Sequence, residues 1–279
     1  MTTVAPTTVK LRLPPGSGSL ILLAIVAVAA AAGPRLAPYD PLATSVSAAL
    51  QPPSASHWFG TDALGRDILS RVLTAARLDL AIAAAAVGLS FGIGTAAGIT
   101  AGYAGGWSDR LIGHVTDMIM AFPLFVLAMG IVAAAGDTVA NIVYATAIIN
   151  IPTYVRVGRA EVLIRRDAPF VQSARLAGNG TFRLLLAHVF PNVLPPLVVQ
   201  ASLNMGYAIL NAAGLSFIGL GVRPPTPEWG IMVADGASYI VSGEWWVWLF
   251  PGLALAGTVF VFNLAGDGLR DFLDPHRRH

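Results

Sequence analysis

RVGRAEVLIRRDAPFVQSARLAGNGTFRLLLAHVFPN, residues 156–192, holds six arginines between Arg156 and Arg183 and stands between two apolar runs, 139–155 and 194–215. At about 2.5 to 3.5 kcal/mol for each arginine at a bilayer centre, burying all of them would cost on the order of 15 to 20 kcal/mol. The segment therefore faces water while its neighbours cross lipid. Hydrocarbon leaves no backbone group a partner outside its own segment, so runs of this length cross as helices. The expectation is an all-α, polytopic membrane protein.

The rest of the chain repeats the alternation. Hydrophobic residues make up 55% of it and charged residues 11%, with a mean hydropathy of +0.68, the composition of a chain whose main solvent is lipid. A span needs roughly 20 apolar residues in helix. Six runs are candidates: 19–37, 78–103, 111–134, 139–155, 194–215 and 246–264. The fourth is short and contains Asn150 and Pro152, and the fifth carries several amides. Of the 17 lysines and arginines, Arg35, Arg66, Arg71, Arg77 and Arg223 fall on one side of the six spans, and the remaining twelve share the side of the amino terminus. The positive-inside rule then places both termini in the cytoplasm. The basic residues form no continuous stripe, which argues against a nucleic-acid partner. The absence of cysteine excludes disulfides, thiolate metal sites and cysteine nucleophiles.

Residues 1–18 are rich in Thr, Pro, Gly and Ser and read as a flexible cytoplasmic tail. Span 19–37 has the look of a signal peptide, but five further spans favour a retained anchor. Residues 38–77 are too polar to cross lipid and too apolar to be disordered, and are expected on the outer surface. There Ile68, Leu69, Val72, Leu73 and Ala76 recur at helical spacing, with Asp67 and Arg71 at i,i+4 on the other side, which predicts a solvated interfacial helix feeding the second span. The transmembrane core is expected over 78–268, with a cytoplasmic loop at 156–193, an outer turn at 222–245 and a short tail at 269–279.

In the second span Gly88, Gly92, Gly94, Gly98 and Gly102 give G-x-x-x-G steps that let a neighbouring helix come close. GLSFG at 88–92 also matches a nucleophile-elbow pattern around Ser90. His57, His114, His188, His276 and His279 all map to span ends, loops or the tail, so a base for Ser90 is missing and packing is the preferred reading.

Within the water-facing segment, Asp167 is expected as N-cap, Pro169 in the first turn and Gly178 as the stop of a helix of about ten residues. Phe170, Ala174 and Ala177 fall at i, i+4 and i+7, an apolar face suited to a groove on a partner. A second short helix is expected from Phe182 to Pro191. Loops that only join spans are usually far shorter.

The spacing Gln172-Ser173-Ala174, three residues, Gly178, nine residues, His188, one residue, Phe190-Pro191 resembles the EAA loop of bacterial ABC importer permeases. Ala174, Gly178 and Pro191 match that pattern; Gln172, Ser173, His188 and Phe190 depart from it. LSFIGLGVRPPTPEWG (215–230), NLAGDGLRDFLDP (263–275) and HWFGTDALGRDILSRVL (57–73) are similar to the C-type permease subunit of the peptide and nickel importers. The resemblance covers everything after the amino-terminal tail. It implies a permease of an ATP-driven importer for peptides, or alternatively nickel or haem, in the bacterial plasma membrane. Phe170, Gln172, Ser173, Ala174, Arg175, Gly178 and Pro191 would be its ATPase-coupling loop. It further implies a second, B-type permease, one or two kinds of ATPase subunit and an extracytoplasmic substrate-binding protein. ATP and Mg would be bound by the ATPase subunits: a P-loop needs a lysine, and the only one here is Lys10. The chain is therefore expected to hold no cofactor, no metal and no catalytic residue of its own.

Gln200, Asn204, Tyr207 and Asn211 repeat at intervals of four, three and four, so they share one face of the fifth span. An amide facing lipid leaves donors unpaired, so the stripe is expected to face a wet passage, with interhelical hydrogen bonding as the competing role. Asn150, Pro152 and Asp117 are weaker candidates. Arg223 to Trp229 reads as a rigid outer turn, and Trp229, Trp245, Trp246 and Trp248 as an interfacial belt. Asp267, Arg270 and Asp271 are expected to anchor the last span. An ion-coupled transporter would need charges at midspan, and the central span positions lack them.

Overall fold

The computed structural model describes residues 17–273; the expectations for the two tails lie, but for the few residues beside them, outside these. Among the described residues there are helices and loops, with one isolated bridge between Thr61 and Asp67 and no strand. Helix α1 (Ser17–Leu36) leads into an irregular cap, and Asp67 then caps α2 (Ile68–Ala104) by accepting from the Ser70 N–H. At 1.5 Å per residue the 37 residues of α2 span about 55 Å. The interfacial helix expected to feed the second span forms its first turns.

Gly105, at φ +63°, ends α2 and turns the chain into α3 (Gly106–Met120). The expected third span does not run straight. It breaks before α4 (Leu124–Ala135) with a bend of 87°. Pro123 supplies the cause, since its ring removes a helical N–H and drives the preceding residue out of helical geometry. Thr138 caps α5 (Val139–Arg165) by accepting from the Asn141 N–H.

Next come α6 (Pro169–Leu176), α7 (Thr181–Leu184), a π-helical turn over Leu185–Val189, and α8 (Phe190–Phe217). Pro191 does not stop a helix here, because Thr181–Phe217 forms one continuous apolar rod of 37 residues. In the π turn Phe190 N–H donates to Leu185 O, five residues back, and this local widening accommodates a proline that has no N–H and crowds the carbonyl four residues before it. Short α9 (Trp229–Ala237) and long α10 (Trp246–Leu273) complete the described residues.

Four of these helices are long and apolar enough to cross a membrane, and five if the bent α3–α4 pair counts as one crossing. The sixth expected crossing, α5, falls short of that measure of apolarity because Asn141, Asn150, Pro152 and Arg156 dilute it. The reason is where α5 lies: Ile142, Ala145, Tyr154 and Val162 are fully buried against its neighbours, so it has little lipid surface to match.

The glycines of α2 divide between two faces. A Cβ at Gly94, Gly98 or Gly102 would press on Tyr154, Val155 O or Arg159 O of α5 at 2.7, 2.5 and 2.9 Å, whereas Gly88 and Gly92 have nothing within 4 Å. Close approach of backbones holds α2 to α5. On the other side α8 meets α10 through the Ser202 hydroxyl, which donates to Phe262 O at 3.0 Å, and α1 crosses α2 where Gly33 lies under Leu73.

At the α9 end, two expectations are corrected. Asp67 and Arg71 are buried, not solvated: Asp67 accepts from Ser70 and meets His57 Nδ1 at 2.9 Å, while Asp62 contacts Arg66 at 2.6 Å and Arg71 at 3.6 Å. Trp229 and Trp246 are also buried, their indole N–H groups donating to Val72 O and Thr61 O, so of the four tryptophans of the expected belt only Trp245 is exposed. The 38–77 cap folds back on the bundle and internalises groups that a linear reading leaves in water.

Candidate functional site

At the opposite end, α5 gives way to a helical elbow. Ala168, rather than Asp167, is the N-cap of α6, and it contributes no side-chain bond. Asp167 takes part through its backbone carbonyl, which accepts from the Gln172 amide at 2.8 Å. Pro169 sits at the first helical position, where a missing N–H costs nothing. Gly178 adopts φ +81° just beyond the helix, a conformation that a side chain would strain, and the Asn179 amide closes the turn on Ala174 O at 2.8 Å.

Two arginines tie the elbow to α2: Arg166 donates to Gly102 O at 3.2 Å and Arg175 to the Tyr103 hydroxyl at 3.3 Å. Val171 and Ala174 point inward, buried along with Leu184 and Val189. The apolar face expected on Phe170, Ala174 and Ala177 is therefore divided, with Ala174 in the foundation and Phe170 and Ala177 outside. The outward face consists of Phe170, Gln172, Ser173, Arg175, Leu176 and Ala177, and Leu176 is 89% exposed. Phe182, at 76%, extends it onto α7. Leu176 and Phe182 were missed; leucine and phenylalanine in an otherwise polar segment were the available signal.

Beside the elbow, α3 is held to α5 by ion pairs. Arg159 grips Asp109 with two bonds of 2.5 and 2.7 Å, and Arg156 reaches Asp117 at 3.0 Å. A polar cavity of about 340 Å³ lies between the helices, lined by Asp109, Arg110, His114, Asp117, Arg156 and Arg159. Asp117 thus pairs with an arginine of α5, which runs on through the expected start of the loop.

The polar stripe of α8 lies at the boundary between buried and open surface. Asn204 is 3% exposed and accepts from the Gln200 amide at 2.9 Å, Gln200 and Asn211 are half-buried, and Tyr207 is 61% exposed. Across from Asn204, fully buried Tyr154 of α5 comes within reach. Neither the Tyr154 hydroxyl nor Asn204 Nδ2 completes a hydrogen bond with a protein group. Ser90 donates to Ala86 O and Val87 O of its own helix, as a packing serine does.

An all-helical bundle of long apolar helices, with a water-facing elbow at one end, is the form of a multi-pass membrane permease. The chain belongs to the family of binding-protein-dependent transport system inner membrane components, whose model matches residues 94–279. It is 43% identical over 257 residues to the probable D,D-dipeptide transport system permease protein DdpC of Escherichia coli K12, covering 92% of this chain and 86% of that protein. The dipeptide transport system permease DppC of Alkalihalophilus pseudofirmus is 44% identical over 257 residues, with coverage of 92% and 82%. Glutathione transport system permease GsiD of Pectobacterium atrosepticum is 44% identical over 223 residues, with coverage of 80% and 74%.

Proposed function

We propose that this chain is one of two permeases in an ATP-driven importer of small peptides. A B-type permease, one or two kinds of ATPase subunit and an extracytoplasmic substrate-binding protein complete the complex. Both termini and the α6 elbow face the cytoplasm, in keeping with the excess of arginine at that end; α9 and the 38–77 cap face outward. ATP and Mg are bound and used in the partner ATPases. The peptide cargo rests on relatives named for dipeptides and glutathione.

The observation that carries the reading is the two-sided elbow. Val171 and Ala174 fasten α6 to the bundle, while Phe170, Leu176 and Phe182 hold apolar surface in water beside the start of a rod that crosses the whole molecule. Exposed apolar groups of this kind mark a protein contact. Gln200, Asn204, Tyr207 and Asn211, with Tyr154 behind them, offer uncharged donors and acceptors to a peptide backbone. Such groups exchange bonds with amides without fixing one side chain.

Reconstituting the complex in liposomes tests the elbow. With Leu176→Asp, ATP hydrolysis should become independent of the binding protein and peptide uptake should fall at least about ten-fold, a loss of about 1.4 kcal/mol in coupling. Unchanged uptake with a properly inserted variant would reject the docking role of this face.

A further inference from the structure

Asp79 of α2, which bonds the N–H of the residue after Glu228, and Glu228 itself, the cap of α9, set two carboxyls side by side inside the α9 end. They are 4% and 1% exposed. Glu228 accepts from the N–H groups of Gly230 and Ile231, each at 2.8 Å. Asp79 accepts from the Trp229 N–H at 3.1 Å. Two buried carboxylates in contact cannot both ionise, because each lacks the solvent that would offset their repulsion.

We propose that Asp79 and Glu228 share a single proton and form a proton-keyed latch that seats the first turn of α9 against α2. Two backbone donors converge on Glu228 and one on Asp79, so negative charge is held on Glu228 and the shared hydrogen bond runs from Asp79 to it. The charged groups on the surrounding elements are engaged or distant. On α2, Arg71 belongs to the Asp62 cluster and Arg77 is exposed; Arg223 pairs with Asp137; Asp235 lies at the far end of α9. Between Phe190 and Phe217 α8 has no charged residue, and Asp267, Arg270 and Asp271 are at the other end of α10. Only the proton balances the pair.

The seat is tight. A Cβ at Gly230 would lie 2.2 Å from Ala213 O of α8, and one at Gly236 would lie 2.7 Å from the Trp248 backbone. Trp229 itself is hydrogen-bonded to α2 through Val72 O. With so little room to slide, α9 leaves α2 only by withdrawing its first turn.

Burial makes a second charge beside Glu228 costly, so the pair gives up its one proton only above the pH at which free carboxyls do. The folded pair holds more protons than the unfolded chain, so the latch is strongest in acid. It weakens as pH climbs above the ordinary carboxyl value of about 4 toward the raised one.

The test is amide exchange at residues 229–232 in the full complex in nanodiscs, corrected for the intrinsic pH dependence of exchange. Between about pH 5 and about pH 9, wild-type protection should fall at least about ten-fold. In Asp79→Asn, whose amide N–H replaces the shared proton, protection should stay level. A level wild-type profile, or an equal fall in Asp79→Asn, overturns the latch. Should that variant fail to insert, infrared spectroscopy of the wild-type complex decides: the carbonyl stretch of a protonated carboxyl must be present near neutrality and vanish in alkali together with the protection, and its absence overturns the proposal. These readouts do not depend on the transported cargo.

Discussion

At the scale of single residues, neighbours on α6 have opposite work. Ala174 is 8% exposed and seats the elbow, whereas Leu176 is nearly free in water. Ala174→Asp puts an unpaired carboxylate into the foundation and should cost more than about 1 kcal/mol of local stability. Proteolysis within 166–190 should therefore accelerate in Ala174→Asp and not in Leu176→Asp; equal rates would remove the distinction between the two faces. The glycines of α2 allow a similar contrast. Gly98→Ala would force a Cβ to within 2.5 Å of Val155 O, while at Gly88 nothing lies within 4 Å. Thermal unfolding in detergent should be lowered by several degrees, roughly 1 to 3 kcal/mol, in Gly98→Ala and unmoved in Gly88→Ala. An unmoved Gly98→Ala protein would mean that α2 and α5 are not held by backbone contact.

At the scale of elements, α3 depends on charge more than on packing. Thr116 is its one buried residue, and its grip on α5 is the Asp109–Arg159 and Asp117–Arg156 pairs. Arg159→Asp should loosen α3 and Asp109→Arg combined with it should restore it, with a coupling of about 1 kcal/mol because both groups remain partly solvated. A cycle showing no coupling would assign α3 to other forces. The same element shows where sequence reading runs out. Apolar length and arginine placement made most of the long helices legible, and proline and glycine punctuation made α6 legible down to Pro169 and Gly178. Those signals are local. The 87° break at Pro123 was not read, because one proline in an apolar run can kink a helix or end it. Burial of Asp67, Arg71, Trp229 and Trp246 depends on the 38–77 cap and α9 folding onto distant helices, and periodicity within a segment carries no record of that. For the same reason the stripe on α8 was found as a stripe, but its partner Tyr154, on another helix, was not.

At the scale of the whole molecule, the α9 end answers to pH from both directions. Arg223 donates to Asp137 and holds that carboxyl below the usual carboxylate range, so the link between the 136–138 turn and the loop before α9 is lost as pH falls from about 4 through the lowered value. The buried Asp79–Glu228 pair contributes in the other sense, its shared proton being lost as pH rises. Crosslinking of the 136–138 turn to residues 223–228 should weaken in strong acid, and Arg223→Gln should abolish that dependence. A pH-independent crosslink in the wild-type protein would refute the link. The two ends are also mechanically joined. The rod from Thr181 to Phe217 begins beside the elbow and runs to Ala213, the residue whose carbonyl confines Gly230. Its 37 residues measure about 55 Å, so pivoting by roughly five degrees about the middle carries each tip some 2 Å, in opposite senses. Gly230 has no room for even a methyl group against that carbonyl, so a tilt of this size begun on one side of the bilayer would drive a wedge under α9 on the other.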